Sequence, residues 1–180
     1  ELHTAWTEDT GETRWELERA AGAKASSSTP CVYTDPSGED FIVVPSFSHG
    51  ICAVRPADGL VAWEEPKTLT ARVVSSIVLA DDMLVATCGT GSKGMQLVAT
   101  RPATRDAAAR VVHDIAERFV SYVPTGVYAD GRLYLTHDLG DITCLDVKTF
   151  QPIWSERPAG KALGSAVLVE DRLYRMDLEG

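Results

Sequence analysis

Ala53-Val54-Arg55-Pro56-Ala57-Asp58-Gly59-Leu60-Val61-Ala62-Trp63 decides the reading of this chain, because the pattern returns elsewhere. It comes again as Cys144-Leu145-Asp146-Val147-Lys148-Thr149-Phe150-Gln151-Pro152-Ile153-Trp154. It comes earlier as Ala5-Trp6-Thr7-Glu8-Asp9-Thr10-Gly11-Glu12-Thr13-Arg14-Trp15. Each copy sets a small residue and an apolar one before a turn, and a Trp ten positions after the small residue. A fourth copy is truncated: Ala99-Thr100-Arg101-Pro102 echoes Ala53-Val54-Arg55-Pro56.

A second module precedes these. Ser76–Val85, Gly126–Leu135 and Ala166–Arg175 each read as a short apolar strand, an acidic or glycine turn, and another short strand. Asp-Gly between apolar runs, as at Asp130-Gly131, is a strong hairpin signal. Pro30 to Val44 is a longer version turning at Asp35-Pro36-Ser37-Gly38. Trp15 and Trp63 lie 48 residues apart, and Trp63 and Trp154 lie 91 apart. One unit is therefore about 45 residues, the scale of propeller repeats. Four strands per unit at that period predict an all-β chain of four-stranded antiparallel blades, a β-propeller. Blades stack because a single sheet cannot bury both of its faces.

The boundaries expected are a partial blade over 1–29, a blade over about 30–66, and a degenerate blade over about 73–115. A further blade spans about 125–157, and the first half of the next spans about 164–180. That makes about four blades' worth of sequence. Open blade edges call for closure, so the expectation is a piece of a larger propeller, with a closed assembly of this chain as the alternative. One local conflict stands within this scheme. Ala108, Val111, Val112, Ile115, Ala116 and Phe119 fall at helical spacing, whereas the repeat puts a fourth strand at Arg110 to Ile115. The repeat is the global evidence and favours the strand.

The 180 residues are 44% hydrophobic and 24% charged, as in globular domains. No apolar run reaches membrane-spanning length, and no secretory signal is visible at the start. A net charge of −9 without a Lys/Arg cluster argues against nucleic-acid binding. Cys31, Cys52, Cys88 and Cys144 form no Cys-x-x-Cys pair and sit in strand-like contexts, so they read as buried free thiols.

No catalytic constellation stands out. His3, His49, His113 and His137 make no His-x-x-x-His pair, and there is neither a Gly-x-Ser-x-Gly elbow nor a phosphate loop. Cys88–Gly94 is glycine-rich with one Lys but has no helix after it, so it reads as a connection between strands. Asp35, Glu39 and Asp40 read as a hairpin turn rather than a calcium site. His49 and His137 stand near equivalent second-to-third-strand connections and read as loop-facing polar residues.

Thr10-Gly11-Glu12-Thr13-Arg14-Trp15, with Ala5 upstream, resembles the Ala-x-Asp-x-x-Thr-Gly-x-x-x-Trp signature of PQQ-like propellers. The Asp is kept only as Asp146, with Thr7 and Arg55 at the matching places. The Gly is kept as Gly11 and Gly59 but is Phe150 in the third copy. The resemblance covers nearly the whole chain and is similar in style to bacterial PQQ-binding-like and BamB-like repeat proteins. It implies a ring of eight blades and a periplasmic or otherwise extracytoplasmic setting. Trp15, Trp63 and Trp154, with Gly11, Gly59, Ala5, Ala53 and Cys144, are expected to dock one blade on the next. Quinoprotein dehydrogenases of this kind tend to carry adjacent cysteines, and this chain has none, so no cofactor is expected and PQQ is not supported.

The function expected is a non-catalytic scaffold that binds a protein or peptide through loops on one face, with no nucleic acid and no membrane span. Candidate loops are Glu65–Arg72, Cys88–Gly94, Ala116–Thr125 and Arg157–Leu163. Self-association, or contact with remaining blades of the same propeller, is the other partnership in view. A PQQ-dependent dehydrogenase or a degenerate relative, and a carbohydrate- or small-ligand-binding propeller, are the alternatives.

Overall fold

The computed structural model describes residues 1–20, 22–91, 93–158 and 160–179, with the backbone alone at Lys93. Among them are sixteen strands and no helix. The first two, β1 (Leu2–Trp6) and β2 (Thr13–Glu18), pair with each other. Next come β3 (Cys31–Thr34), β4 (Asp40–Ser46), β5 (Gly50–Val54) and β6 (Val61–Glu65), in one sheet. A second sheet holds β7 (Val78–Ala80), β8 (Met83–Thr90), β9 (Lys93–Arg101) and β10 (Arg110–Ile115). A third holds β11 (Val127–Ala129), β12 (Arg132–Thr136), β13 (Ile142–Asp146) and β14 (Pro152–Glu156). The last pair is β15 (Val167–Val169) and β16 (Arg172–Tyr174).

Every sheet is an antiparallel meander in chain order, so each is a propeller blade. Three blades are complete. The leading pair matches the last two strands of a blade and the closing pair matches the first two. The conflict at Arg110–Ile115 resolves as the strand β10, paired with β9. The Ala and Val of that segment follow a helical period, but pairing with β9 decides the outcome.

The core lies between blades. Leu84, Ala86 and Cys88 of β8 face the first blade, joining Val43, Ile51 and Ala53. Met83 and Val85 of the same strand face the third, joining Leu133, Leu135, Leu145 and Val147. Alternate residues of a strand point to opposite faces, so a strand covered on both sides must be apolar throughout. This is why β8 lacks the alternation of a half-exposed strand. At its core-facing depth a buried Leu stabilises by roughly 2 kcal/mol.

A bulge recurs at one place in the repeat. The pairing of third and fourth strands slips beside Ala5, Ala53, Ala99 and Cys144, leaving Arg14, Ala62, Val112 and Ile153 as the extra residues. An extra residue on the outer strand bends it and sharpens its twist. All four cysteines are free thiols. Cys52, Cys88 and Cys144 are buried, but Cys31 is only partly so, because β3 is a first strand with one side open.

Candidate functional site

The antiparallel order sends all blade-to-blade connectors, and all turns between second and third strands, to one face of the molecule. This face carries the described residues of the segments 19–30, 66–77, 116–126 and 157–166 and the turns at 47–49 and 137–141. Its loops are pinned by the buried Gln96 and Asp138 and the half-buried Ser26. Gln96 on β9 accepts from the Thr70 N–H at 3.0 Å and the Thr70 hydroxyl at 2.8 Å. Its amide donates to the Thr68 carbonyl at 3.0 Å and to Asp114 at 2.8 Å. Asp138, in the turn after β12, is 1% exposed and accepts the backbone N–H groups of Tyr122 at 2.8 Å and Val123 at 3.2 Å. Ser26 accepts the Phe47 N–H at 3.0 Å. Apart from the Gln96–Asp114 bond between β9 and β10, each contact ties a connector to a strand or turn of the blade it serves.

Three glycines let the backbone close up here. A Cβ at Gly50, Gly94 or Gly140 would collide with the carbonyl of Glu65, Val120 or Gly160 respectively. Second-to-third-strand turns and outgoing connectors are therefore packed backbone against backbone. Met95, Leu139 and Leu163 remain exposed on the same face, as do Lys67, Arg118 and Lys161 of its connectors.

Of the loops expected on this face, Cys88–Gly94 is mostly strand. β8 runs to Thr90 and β9 starts at Lys93, so only a tight hairpin remains, with Ser92 outside the described residues. His137 is 6% exposed and its Nδ1 accepts the Leu139 N–H at 3.1 Å, so it braces its own turn rather than facing outward from it. His49 reaches the Ala20 carbonyl through Nε2 at 3.0 Å.

The opposite face holds the turns between third and fourth strands, which carry the repeat signature. In three copies they share one geometry. The N–H of Gly11, Gly59 and Phe150 donates to the carbonyl of Thr7, Arg55 and Asp146 at 3.0, 2.9 and 2.7 Å. All three have positive φ, at 69°, 73° and 54°. Asp146 caps its turn by accepting the N–H groups of Lys148 and Thr149 and the Thr149 hydroxyl. Those bonds, the Thr149 backbone first, hold its carboxyl below the usual range. Asp58 is likewise lowered, chiefly by Arg55. Asp35 is lowered by the Ser37 hydroxyl and then by backbone N–H groups, in the tight turn before β4.

Small residue and Trp face each other across the strand pair: Ala5 opposite Trp15, Ala53 opposite Trp63, Cys144 opposite Trp154. Trp15 lies over Gly59 of the next blade, where a Cβ would stand 2.5 Å from its ring, and its indole N–H donates to the Pro56 carbonyl at 2.8 Å. Trp63 packs against the core between the first two blades. Its N–H is enclosed without a partner among the described residues, next to the long 102–109 turn. Trp154 packs near Tyr134, ring centroids 6.1 Å apart, and is 37% exposed.

In the truncated copy, the residue opposite Ala99 is His113. Sequence reading missed it because the long turn moves it fourteen residues beyond Ala99 instead of ten. His113 stacks on Phe150 of the next blade, centroids 4.5 Å apart and planes 33° apart.

Among the described residues, no group of three or more His, Cys, Asp or Glu is placed to hold a metal ion. Burial raises the thiols of all four cysteines. Arg19 bonds both Cys52, at 3.1 Å, and Glu64.

The family model for outer membrane protein assembly factor BamB matches residues 3–156. The chain belongs to this family. No curated protein matches it. BamB from Moraxella catarrhalis is similar in structure, with a TM-score of 0.65 and 17% identity over 97% of this chain and 48% of that one. A europium-containing methanol dehydrogenase also has a TM-score of 0.65, with 12% identity over 92% of this chain and 41% of that one. The chain thus spans less than half the length of either. Both likenesses are of fold, and both neighbours are PQQ-like propeller proteins. The BamB-family chain keeps the four-stranded propeller blade while varying the residues of its third-to-fourth-strand turns.

Proposed function

We propose that this BamB-family chain is a non-catalytic, extracytoplasmic scaffold that binds a protein or peptide partner through its connector face. The observation that carries the reading is the pinning of that face. Gln96, Asp138 and Ser26 fix the connectors from within, while Met95, Leu139 and Leu163 stay exposed. Loops fixed before contact lose little freedom on binding, and exposed apolar side chains supply the contact itself. The family's description as an assembly factor for outer membrane proteins supports a protein partner and a location outside the cytoplasm.

The signature residues Trp15, Trp63, Trp154, Gly11, Gly59, Ala5, Ala53 and Cys144 serve blade docking on this reading. They occupy equivalent places in separate blades, so they do not converge on one ligand pocket. The placement of the cysteines supports the expectation that PQQ is not bound by this part of the propeller. The four cysteines lie on four different strands, none beside another, and their thiols are raised by burial.

Photo-crosslinking side chains placed at Met95, Leu139 and Leu163 in cells should capture a discrete protein partner. The same groups at Ala57 and Asp82, on the opposite face, should not. Equal capture from both faces would overturn the assignment of the face. A visible quinone absorbance in the purified protein would overturn the non-catalytic reading, and saturable binding of an oligosaccharide alone would favour a sugar-binding propeller.

A further inference from the structure

We infer that His113 and Phe150 form a matched docking pair, standing where Trp and Gly stand at the seam between β2 and the first complete blade, and that the exchange makes the seam between the second and third blades exclusive. The two positions correspond by backbone geometry. His113 lies opposite Ala99 as Trp15 lies opposite Ala5. Phe150 has the positive φ and the same turn hydrogen bond as Gly59. At one seam a large indole rests on a residue without a side chain. At the other a smaller imidazole rests on a phenyl ring. Both partners have changed, in opposite senses of size.

Phe is a costly choice at φ 54°, since bulky residues seldom adopt positive φ. Its ring explains why it is tolerated. Phe150 is 1% exposed and belongs to the cluster of Leu133, Leu145 and Val147 between the second and third blades. The ring reaches into the interblade cluster from the turn side, whereas at the other seam Trp15 lies on the turn from the strand side. Protein interiors tolerate neither overfilling nor voids. An indole brought onto Phe150 would overfill the seam, and His113 brought onto a glycine turn would leave it hollow. Blades of closely similar sequence are prone to dock out of order during folding. A mismatched pair of this kind penalises the wrong neighbour as well as favouring the right one.

The test is a double-mutant cycle on the full chain, read from the equilibrium constant for urea unfolding. His113→Trp and Phe150→Gly are each expected to lower the folding constant by about tenfold or more, and together to recover most of that loss. Losses that simply multiply in the double variant would overturn the pairing. If a single variant fails to fold while the double variant folds, the pairing is supported. The reverse exchange guards against general fragility: Trp15→His with Gly59→Phe should again lose less together than the two do separately. Failure of both double variants to fold would also overturn the inference, because the pairs would not then be interchangeable units.

Discussion

Two constraints meet at Gly59. Its φ of 73° disfavours any side chain, and the Trp15 ring occupies the place of a Cβ. Gly11 shares the first constraint, with φ 69°, but has open space around it. Gly11→Ala should therefore lose only about 1 kcal/mol, the cost of a left-handed backbone. Gly59→Ala should lose that and a further 1–3 kcal/mol or so from overpacking against the indole. Thermal or urea unfolding of the two variants side by side checks the difference. The turn carboxylates give a pH prediction. Asp35, Asp58 and Asp146 are held below their ordinary values in the fold. A depressed acid adds stability above its unfolded value, near about pH 4 for Asp, and that stability is lost as pH falls through the folded value. Urea midpoints should thus hold steady from neutral pH down and then drop. Asp35→Asn with Asp146→Asn should flatten the drop.

At the scale of elements, connectors depend on single buried side chains. Gln96 makes four bonds to Thr68, Thr70 and Asp114, so Gln96→Leu strands several polar groups at once. A loss of about 2 kcal/mol is expected. The sharper readout is amide exchange: the Thr70 N–H should lose protection while strands β12 and β13 keep theirs. If protection falls evenly across all blades, Gln96 supports the whole fold rather than the connector. The contrast between β10 and β8 shows how elements are chosen. β10 has a helical spacing of apolar residues yet pairs with β9, and β8 has no alternation because blades cover both of its faces. Strand pairing in the first case and cover by neighbouring sheets in the second, not local period, settle the outcome.

For the whole molecule, the decisive feature is what the end strands offer. β1 and β16 each have only one partner among the described strands. Open strand edges recruit other strands. The 180-residue chain purified by itself should therefore associate in a concentration-dependent way, seen by light scattering behind a sizing column. Two copies closing into one ring would give a discrete dimer. A stable monomer of 19.4 kDa would mean that the end strands are protected by other means.

The sequence by itself determined the blade and its period, because a turn with positive φ and a Trp ten residues beyond a small residue are local requirements that leave a local mark. It also showed where the signature failed, at the truncated copy and at Phe150. It did not show that these two failures answer each other. His113 and Phe150 lie 37 residues apart and meet only once the second and third blades are stacked. The pinning of the connector face was hidden for the same reason: Gln96 and Asp138 look like ordinary surface polar residues until the chain buries them against connectors 15 to 28 residues away. Backbone conformation is written residue by residue, whereas complementarity between sheets exists only where two surfaces touch.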